Sequence, residues 1–503
     1  MANQTVRICA GLVFLALACP PAAATASPRA GTVAVEPGLA RYSLVTNANT
    51  SPSGEHIWFT SDTRLDGRVH TNGEFSFVGQ PFFGDTVSSV SGKAWYYNNG
   101  MPRELADDLN GTIDVPQFQL GFLRDAAPIL LPANSYDQQE AALGLTPDGN
   151  APSDATINAC LGTGAGSSPP PEGIYLPHAG DYLVGGIYVQ GGADQILASA
   201  DTVNCRQTYR IVQGPTVATF VIDPAANVTS MTVGASATRR YAGVPRVLYV
   251  NGSVSDLRGP DRAGDLPPPA VLDGHQMLIV ANGDLVLRRD MTAQNFDSGT
   301  AVLGVFSRGG GVRIGADAPN DMYLDAFVVA PAISGVFGVD GHNSGPPRGT
   351  FHLRGGCVES YYGLFGTFGA SGALEHGYVR DFLHDGRGVV PPFYPAASPL
   401  VAAVAPSRGG PPALRLSAPH PNPAHESLRV SYALPRAGRV LLVLCDVQGR
   451  RVATLVDAVQ LAGQHDAAWA LGPSLGRQIR PGVYTLLLQS GGERSRVRVV
   501  LLE

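Results

Sequence analysis

GRVHTNGEFSFV, Gly67 to Val78, is the stretch from which the rest of the chain can be read. Val69 on one side and Phe75 and Phe77 on the other are apolar, and between them stands Asn72-Gly73, a pair that supports a turn with positive φ. The local expectation is therefore strand, tight turn, strand. A histidine two residues from an asparagine in such a turn could serve as a ligand or a base. No second histidine stands at a metal-type interval from His70, so the motif of His70, Asn72 and Gly73 is read as mainly structural. On that reading, Gly73→Val should destabilise the fold more than His70→Ala does.

Comparable units recur along the chain. They stand at Gly185 to Leu197, Arg246 to Leu257, Gln276 to Leu287, Ala301 to Ile314 and Ala326 to Val339, with a looser copy at Phe351 to Gly363. The turn glycines Gly252, Gly283, Gly310, Gly335 and Gly355 are spaced by 31, 27, 25 and 20 residues, in the range of stacked repeats. Continuous apolar runs such as Leu278-Ile279-Val280 and Phe327-Val328-Val329 fit strands that line an interior and pair with neighbours above and below. The fold class expected is all-β: a large solenoid-like domain, β-helix or β-roll, over 38–395. A large β-sandwich built from the same short strands is the competing architecture.

Composition points the same way. With 61 Gly and 40 Pro the chain is rich in turns, yet at 44% hydrophobic it is too apolar for disorder. A net charge of −6 supplies no basic field and argues against nucleic acid as a partner. Arg7, the apolar run Ile8 to Ala18 and then Ala24-Thr25-Ala26 read as a secretory signal peptide over 1–26. That run is about half of the roughly 20 residues needed to span a bilayer, and no later stretch reaches that length, so the mature chain is expected to lack a transmembrane segment. Cys19 offers a weaker alternative, lipid attachment. In the oxidising compartment this implies, Cys160 and Cys205 form the candidate disulfide, whose 45-residue loop would stabilise by about 4 kcal/mol. Cys357 and Cys445 are expected to pack as small apolar residues.

Within the middle segment Met101 to Thr238, a helix is expected over Ser135 to Leu143, bounded by the prolines before it, and an exposed loop over Gly144 to Gly173. The Pro, Ala and Gly-rich run 396–412 reads as a linker. Beyond it, 413–503 carries short alternating runs punctuated by Gly438, Gly449, Gly463, Gly472 and Gly482, the pattern of a small Ig-like sandwich.

Four features of this last segment are distinctive: Pro421-Asn422-Pro423, then Asp446 to Val452 (DVQGRRV), then Leu461-Ala462-Gly463-Gln464-His465 ahead of Trp469, and Pro481-Gly482-Val483-Tyr484 leading into the final hairpin. In these it resembles the Ig-like domain of the flagellar hook-capping type, and equally the type A C-terminal sorting domain of the type IX secretion route. The resemblance implies an extracellular module that engages secretion or cell-envelope machinery. The larger region resembles an uncharacterised domain family of bacterial envelope and surface proteins. That likeness rests on Trp58-Phe59-Thr60, Gly67 to Gly73 and Pro81-Phe82-Phe83-Gly84, and at the far end on Gly377-Tyr378 and Pro391 to Pro395. It implies location and architecture and carries no chemistry.

Candidate chemistry is sparse. His376 and His384 flank Tyr378, Arg380 and Asp381, with Asp385 and Arg387 beside them, a set suited to an acidic sugar or to an ion-pair network closing the last repeat. Asp317, Asp321 and Asp325 read as loop carboxylates, with calcium as a secondary option. No catalytic residue, cofactor or metal site is assigned, and no HExxH or phosphate-loop motif is present. The function expected is that of an exported structural or adhesive protein at the cell surface or outside the cell, with surface polysaccharide or other envelope proteins as partners. A solenoid enzyme that degrades polysaccharide and an accessory protein of pilus or envelope assembly are the alternatives.

Overall fold

The computed structural model describes residues 38–50, 56–98, 101–104, 116–264, 266–332, 335–369 and 373–395, and most of 414–501 apart from short gaps and 471–481. The signal peptide read over 1–26 and the linker over 396–412 lie outside the described residues. The fold is mostly β.

The recurring units are not hairpins. In all but the looser copy at Phe351 to Gly363, the strand before the turn (Asn-Gly at 72–73, 251–252 and 282–283) and the strand after it lie in different sheets, and each pairs in parallel with an equivalent strand of a neighbouring unit. The ladder of first strands runs Val247–Asn251, Gln276–Ala281, Val302–Ser307, Tyr323–Ala330, Pro347–Tyr361. The ladder of second strands runs Gln195–Asp201, Val254–Arg258, Leu285–Leu287, Val312–Ile314, Phe337–Val339. The Asn-Gly pair is thus a corner. Neither Asn72 nor Gly73 has positive φ, nor do Gly252 and Gly283. What glycine supplies at these corners is room: a Cβ on Gly252 would stand 2.7 Å from the backbone of Gly191 and Gly192 in the coil beside it.

Side chains tie the corners together. Asn282 Nδ2 donates to Asn251 Oδ1 (3.3 Å) and Asn251 Nδ2 to Gln190 Oε1 (3.1 Å), while farther along the stack Asn72 Nδ2 donates to Asn47 Oδ1 (3.2 Å). A third ladder begins with the first residues of Tyr323–Ala330 against the first half of Pro347–Tyr361, which pairs in turn with Leu374–His384, and continues through Arg64–Leu65, Phe82–Phe83 and Gln117–Phe118. The three ladders enclose one core that includes Leu248, Ile279, Val305, Val328 and Phe351.

The order of coils differs from the order of sequence. Tyr42–Ala48 lies in mid-stack, parallel to Pro347–Tyr361 on one side (Leu44 opposite Cys357) and to Arg68–Thr71 on the other. From there the chain passes through Val87–Ser89 to Phe122–Leu123 at one end, and resumes at the far end with Gly173–Tyr175, the one antiparallel strand of this path. It then returns coil by coil to its starting point.

The continuous apolar runs have a simple cause. Both faces of the first ladder are buried: Ile279 and Val328 face the interior, while Leu278, Val280 and Val329 face outward into a second cluster with Ala142 and Leu143. The helix Tyr136–Leu143 that covers them follows Ser135 and ends at Gly144 in the left-handed region, as the sequence predicts. The segment Gly144 to Gly173, read as a loop, also holds a helix, Asp154–Leu161. Its signals are a Ser153 side chain that accepts from Thr156 N–H, Asp154 in the first turn, and Gly162 with φ 67°.

The Cys160–Cys205 disulfide does not form. Cys160 sits on that second helix as a free thiol, whereas Cys205 lies in the turn between Gln195–Asp201 and Arg206–Gln213, with φ 52°. Cys357 and Cys445 are buried free thiols, as expected of small apolar residues.

Residues 414–501 build a unit with its own core. A three-stranded antiparallel sheet (Arg415–Leu416, Ser427–Leu434, Gly463–Ala470) faces a four-stranded one (Arg451–Gln460, Gly438–Cys445, Gly482–Ser490, Glu493–Leu501). Val430 and Tyr432 of the first meet Leu442, Leu444 and Leu486 of the second.

Candidate functional site

Parallel, in-register pairing places equivalent residues of successive coils in rows. On the third ladder one row is Tyr323, His352, Asp381, and two residues further along comes Asp325, Arg354, Leu383. Alternation along a strand turns both rows to the same side. Together with the loops around Pro267 and Asn295, all of these except the buried Asp325 line a cleft of about 500 Å³.

His352 Nδ1 lies 2.7 Å from Asp381 Oδ2, and its ring stacks on Tyr323 with centroids 4.4 Å apart and planes 13° from parallel. Arg354 grips Asp325 with Nε and Nη2 (2.6 and 2.5 Å), and Asp325 Oδ2 also accepts from Ala293 N–H. Asp325 is buried; burial pushes its carboxyl up, and the Arg354 hydrogen bonds oppose that shift. The Arg262 guanidinium lies 5.8 Å from the Tyr323 ring centre and holds the buried Asp290 through two hydrogen bonds of 2.6 and 2.7 Å. The result is a set of balanced ion pairs beside an aromatic and imidazole stack.

The residues singled out in the sequence mostly lie elsewhere. His70 is 2% exposed and spends both ring nitrogens on the corner, Nδ1 with Ser88 Oγ (2.8 Å) and Nε2 with Asn72 Oδ1 (3.1 Å). Burial holds it down at about 4. Asn72 in turn grips residue 129, donating to Ile129 C=O (2.7 Å) and accepting from Ile129 N–H (2.9 Å). Gly73 completes the corner by donating its N–H to Thr71 Oγ1. The structural reading of this motif thus accounts for its polar atoms.

The group around Tyr378 disperses because alternate residues of Leu374–His384 face opposite ways. Tyr378 is buried with its hydroxyl on Pro319 C=O, Arg380 lies 4.1 Å from the Tyr362 ring centre, and Asp385 pairs with Arg387. His376 bonds Gly345 C=O and His384 bonds Gly355 C=O. Of that set only Asp381 reaches the cleft. Asp317, Asp321 and Asp325 also separate: the first pairs with Arg288, the second accepts from Thr350 N–H, the third holds Arg354. Among the described residues no group of His, Cys, Asp or Glu is arranged to hold a metal ion, and no helix is long and apolar enough to cross a membrane.

Sequence reasoning did not find Tyr323, His352 and Arg354. The only signal available was the spacing itself: Tyr323 to His352 and His352 to Asp381 are both 29 residues, a coil length that can be recognised only once the stack is known.

Comparison with known families gives one match, to a domain of unknown function, DUF4900, over residues 31–92. The match takes in Trp58 to Gly84, where the likeness to bacterial envelope and surface proteins was read, and does not extend to the cleft. No curated protein matches the chain, and no solved structure does.

Proposed function

We propose that this chain is an exported, surface-associated structural or adhesive protein. In this reading residues 38–395 are a parallel β-solenoid, residues 414–501 an Ig-like module for export or attachment, and secretion or envelope machinery is the partner of that module. The carrying observation is the stack of parallel strand ladders whose corners are bound by side-chain hydrogen bonds and whose interior is filled by aromatic rings. Phe83 and Phe118 stack 5.4 Å apart, Phe118 and Phe122 5.3 Å apart. Such a stack is a stiff spacer with a regular surface, suited to presenting one face away from a cell. The two antiparallel sheets packed on one core support the Ig-like reading of the last segment.

The test is fractionation of cells expressing the chain with and without residues 413–503. The expected result is surface or extracellular recovery of the full chain and retention of the shortened one. Equal surface recovery of both would remove the role of the last segment, and recovery of the full chain in the cytoplasm would overturn the reading.

A further inference from the structure

At the cleft on the third ladder, the arginines are already neutralised by neighbours. Arg354 is paired with Asp325 and Arg262 with Asp290, while His352 is hydrogen-bonded to Asp381. An anionic ligand entering there would lose water without gaining an unpaired guanidinium. What the pairs leave over is hydrogen-bonding capacity. Among the described residues the Tyr323 hydroxyl, His352 Nε2, Arg354 Nη1 and Asp381 Oδ1 have no side-chain hydrogen-bond partner, so donors and acceptors stand side by side on neighbouring rungs. The rim is apolar: Leu266 and Leu383 are 77% and 38% exposed, with Pro267 and Pro269 beside them.

A polar floor of mixed donors and acceptors under an apolar rim matches a ligand with hydroxyls on its edges and C–H groups on its faces. The volume of about 500 Å³ suits a small-molecule site and admits a few sugar rings. We infer that this cleft binds a short neutral oligosaccharide. The inference gives the adhesive reading above its ligand class and rests on that reading.

The test uses the full chain and isothermal titration with cello-, malto-, laminari-, manno- and N-acetylchito-tetraose, alongside tetragalacturonate and a sulfated heparin tetrasaccharide. Saturable binding of at least one neutral probe is expected. It should weaken about tenfold in Tyr323→Phe and in Asp381→Asn, the loss expected for one hydrogen bond to a ligand. Tyr323→Phe removes only a hydroxyl and keeps the stack, so it carries the test even if Asp381→Asn fails to fold. Binding of the charged probes alone, no binding of any neutral probe, or neutral binding unchanged in Tyr323→Phe would each overturn the inference. If neutral probes fail while fractionation places the chain at the surface, the ligand assignment falls by itself. If binding holds while the chain stays in the cytoplasm, the surface reading falls by itself.

Discussion

His70 stands between Ser88 and Asn72 with both ring nitrogens bonded, so replacing it leaves a cavity and buried polar atoms that have lost a partner. At Gly73 an added Cβ would stand 3.3 Å from Ala48 Cα and 3.4 Å from Asn47 C=O, a contact that small shifts relieve. A single methyl at Gly73 is therefore cheaper than loss of the ring: His70→Ala should cost about 2–4 kcal/mol in urea unfolding and Gly73→Ala about 1 kcal/mol or less. The pH dependence of stability bears on the same residue. Burial lowers His70 from 6.5 to about 4 and His275 from 6.5 to about 3. The stability due to keeping these rings neutral is complete above pH 6.5 and drains as the unfolded chain takes up protons below it, by about 1.4 kcal/mol per unit and ring. Melts at pH 7 and pH 4.5 should differ by several kcal/mol, and His70→Ala should narrow that gap. The sequence displayed the Asn-Gly pair but not its reason, because positive φ and close backbone approach select the same residue. His352 and Asp381, 29 residues apart, had no local signature either.

Strands were legible where alternation or apolar runs marked them, yet their partners were not. Strand, Asn-Gly, strand is the signature of a hairpin, and the parallel alternative depends on residues some 20 to 30 positions away. The second helix escaped because Pro, Gly and Ser crowd both sides of Asp154–Leu161, although its Ser153 cap lay in plain view. Elements also meet at Glu359, which is 1% exposed and accepts from Phe337 N–H (2.9 Å) and Gly363 N–H (3.2 Å), fastening Pro347–Tyr361 to the second ladder. Burial raises its carboxyl from 4.5 to about 8. A raised acid contributes fully below its unfolded value and loses that contribution as pH climbs through the folded one, so Glu359 should weaken the fold between pH 5 and 9. Glu359→Gln keeps an acceptor and cannot ionise. Denaturant midpoints measured across that range should fall in the parent protein and stay nearly level in the variant.

For the molecule as a whole, the seam between Tyr42–Ala48 and Pro347–Tyr361 joins the two runs of coils. Leu44 is fully buried there opposite Cys357. Leu44→Ala should cost about 3 kcal/mol. Hydrogen exchange should quicken on both sides of the seam, in 42–123 as well as 347–384, while 427–501, with its separate core, keeps its protection. Exchange confined to the first segment would mean that the two runs do not unfold together.

That seam also sets a clock. Leu44 meets Cys357 across 313 residues of sequence, so at about 5–20 residues per second the first coils wait roughly 15–60 s of synthesis for their partner strand. During that interval the emerging chain holds unpaired strands and cannot close its stack. Such a chain stays open long enough to be threaded or chaperoned, and is exposed for the same period to pairing with a neighbour.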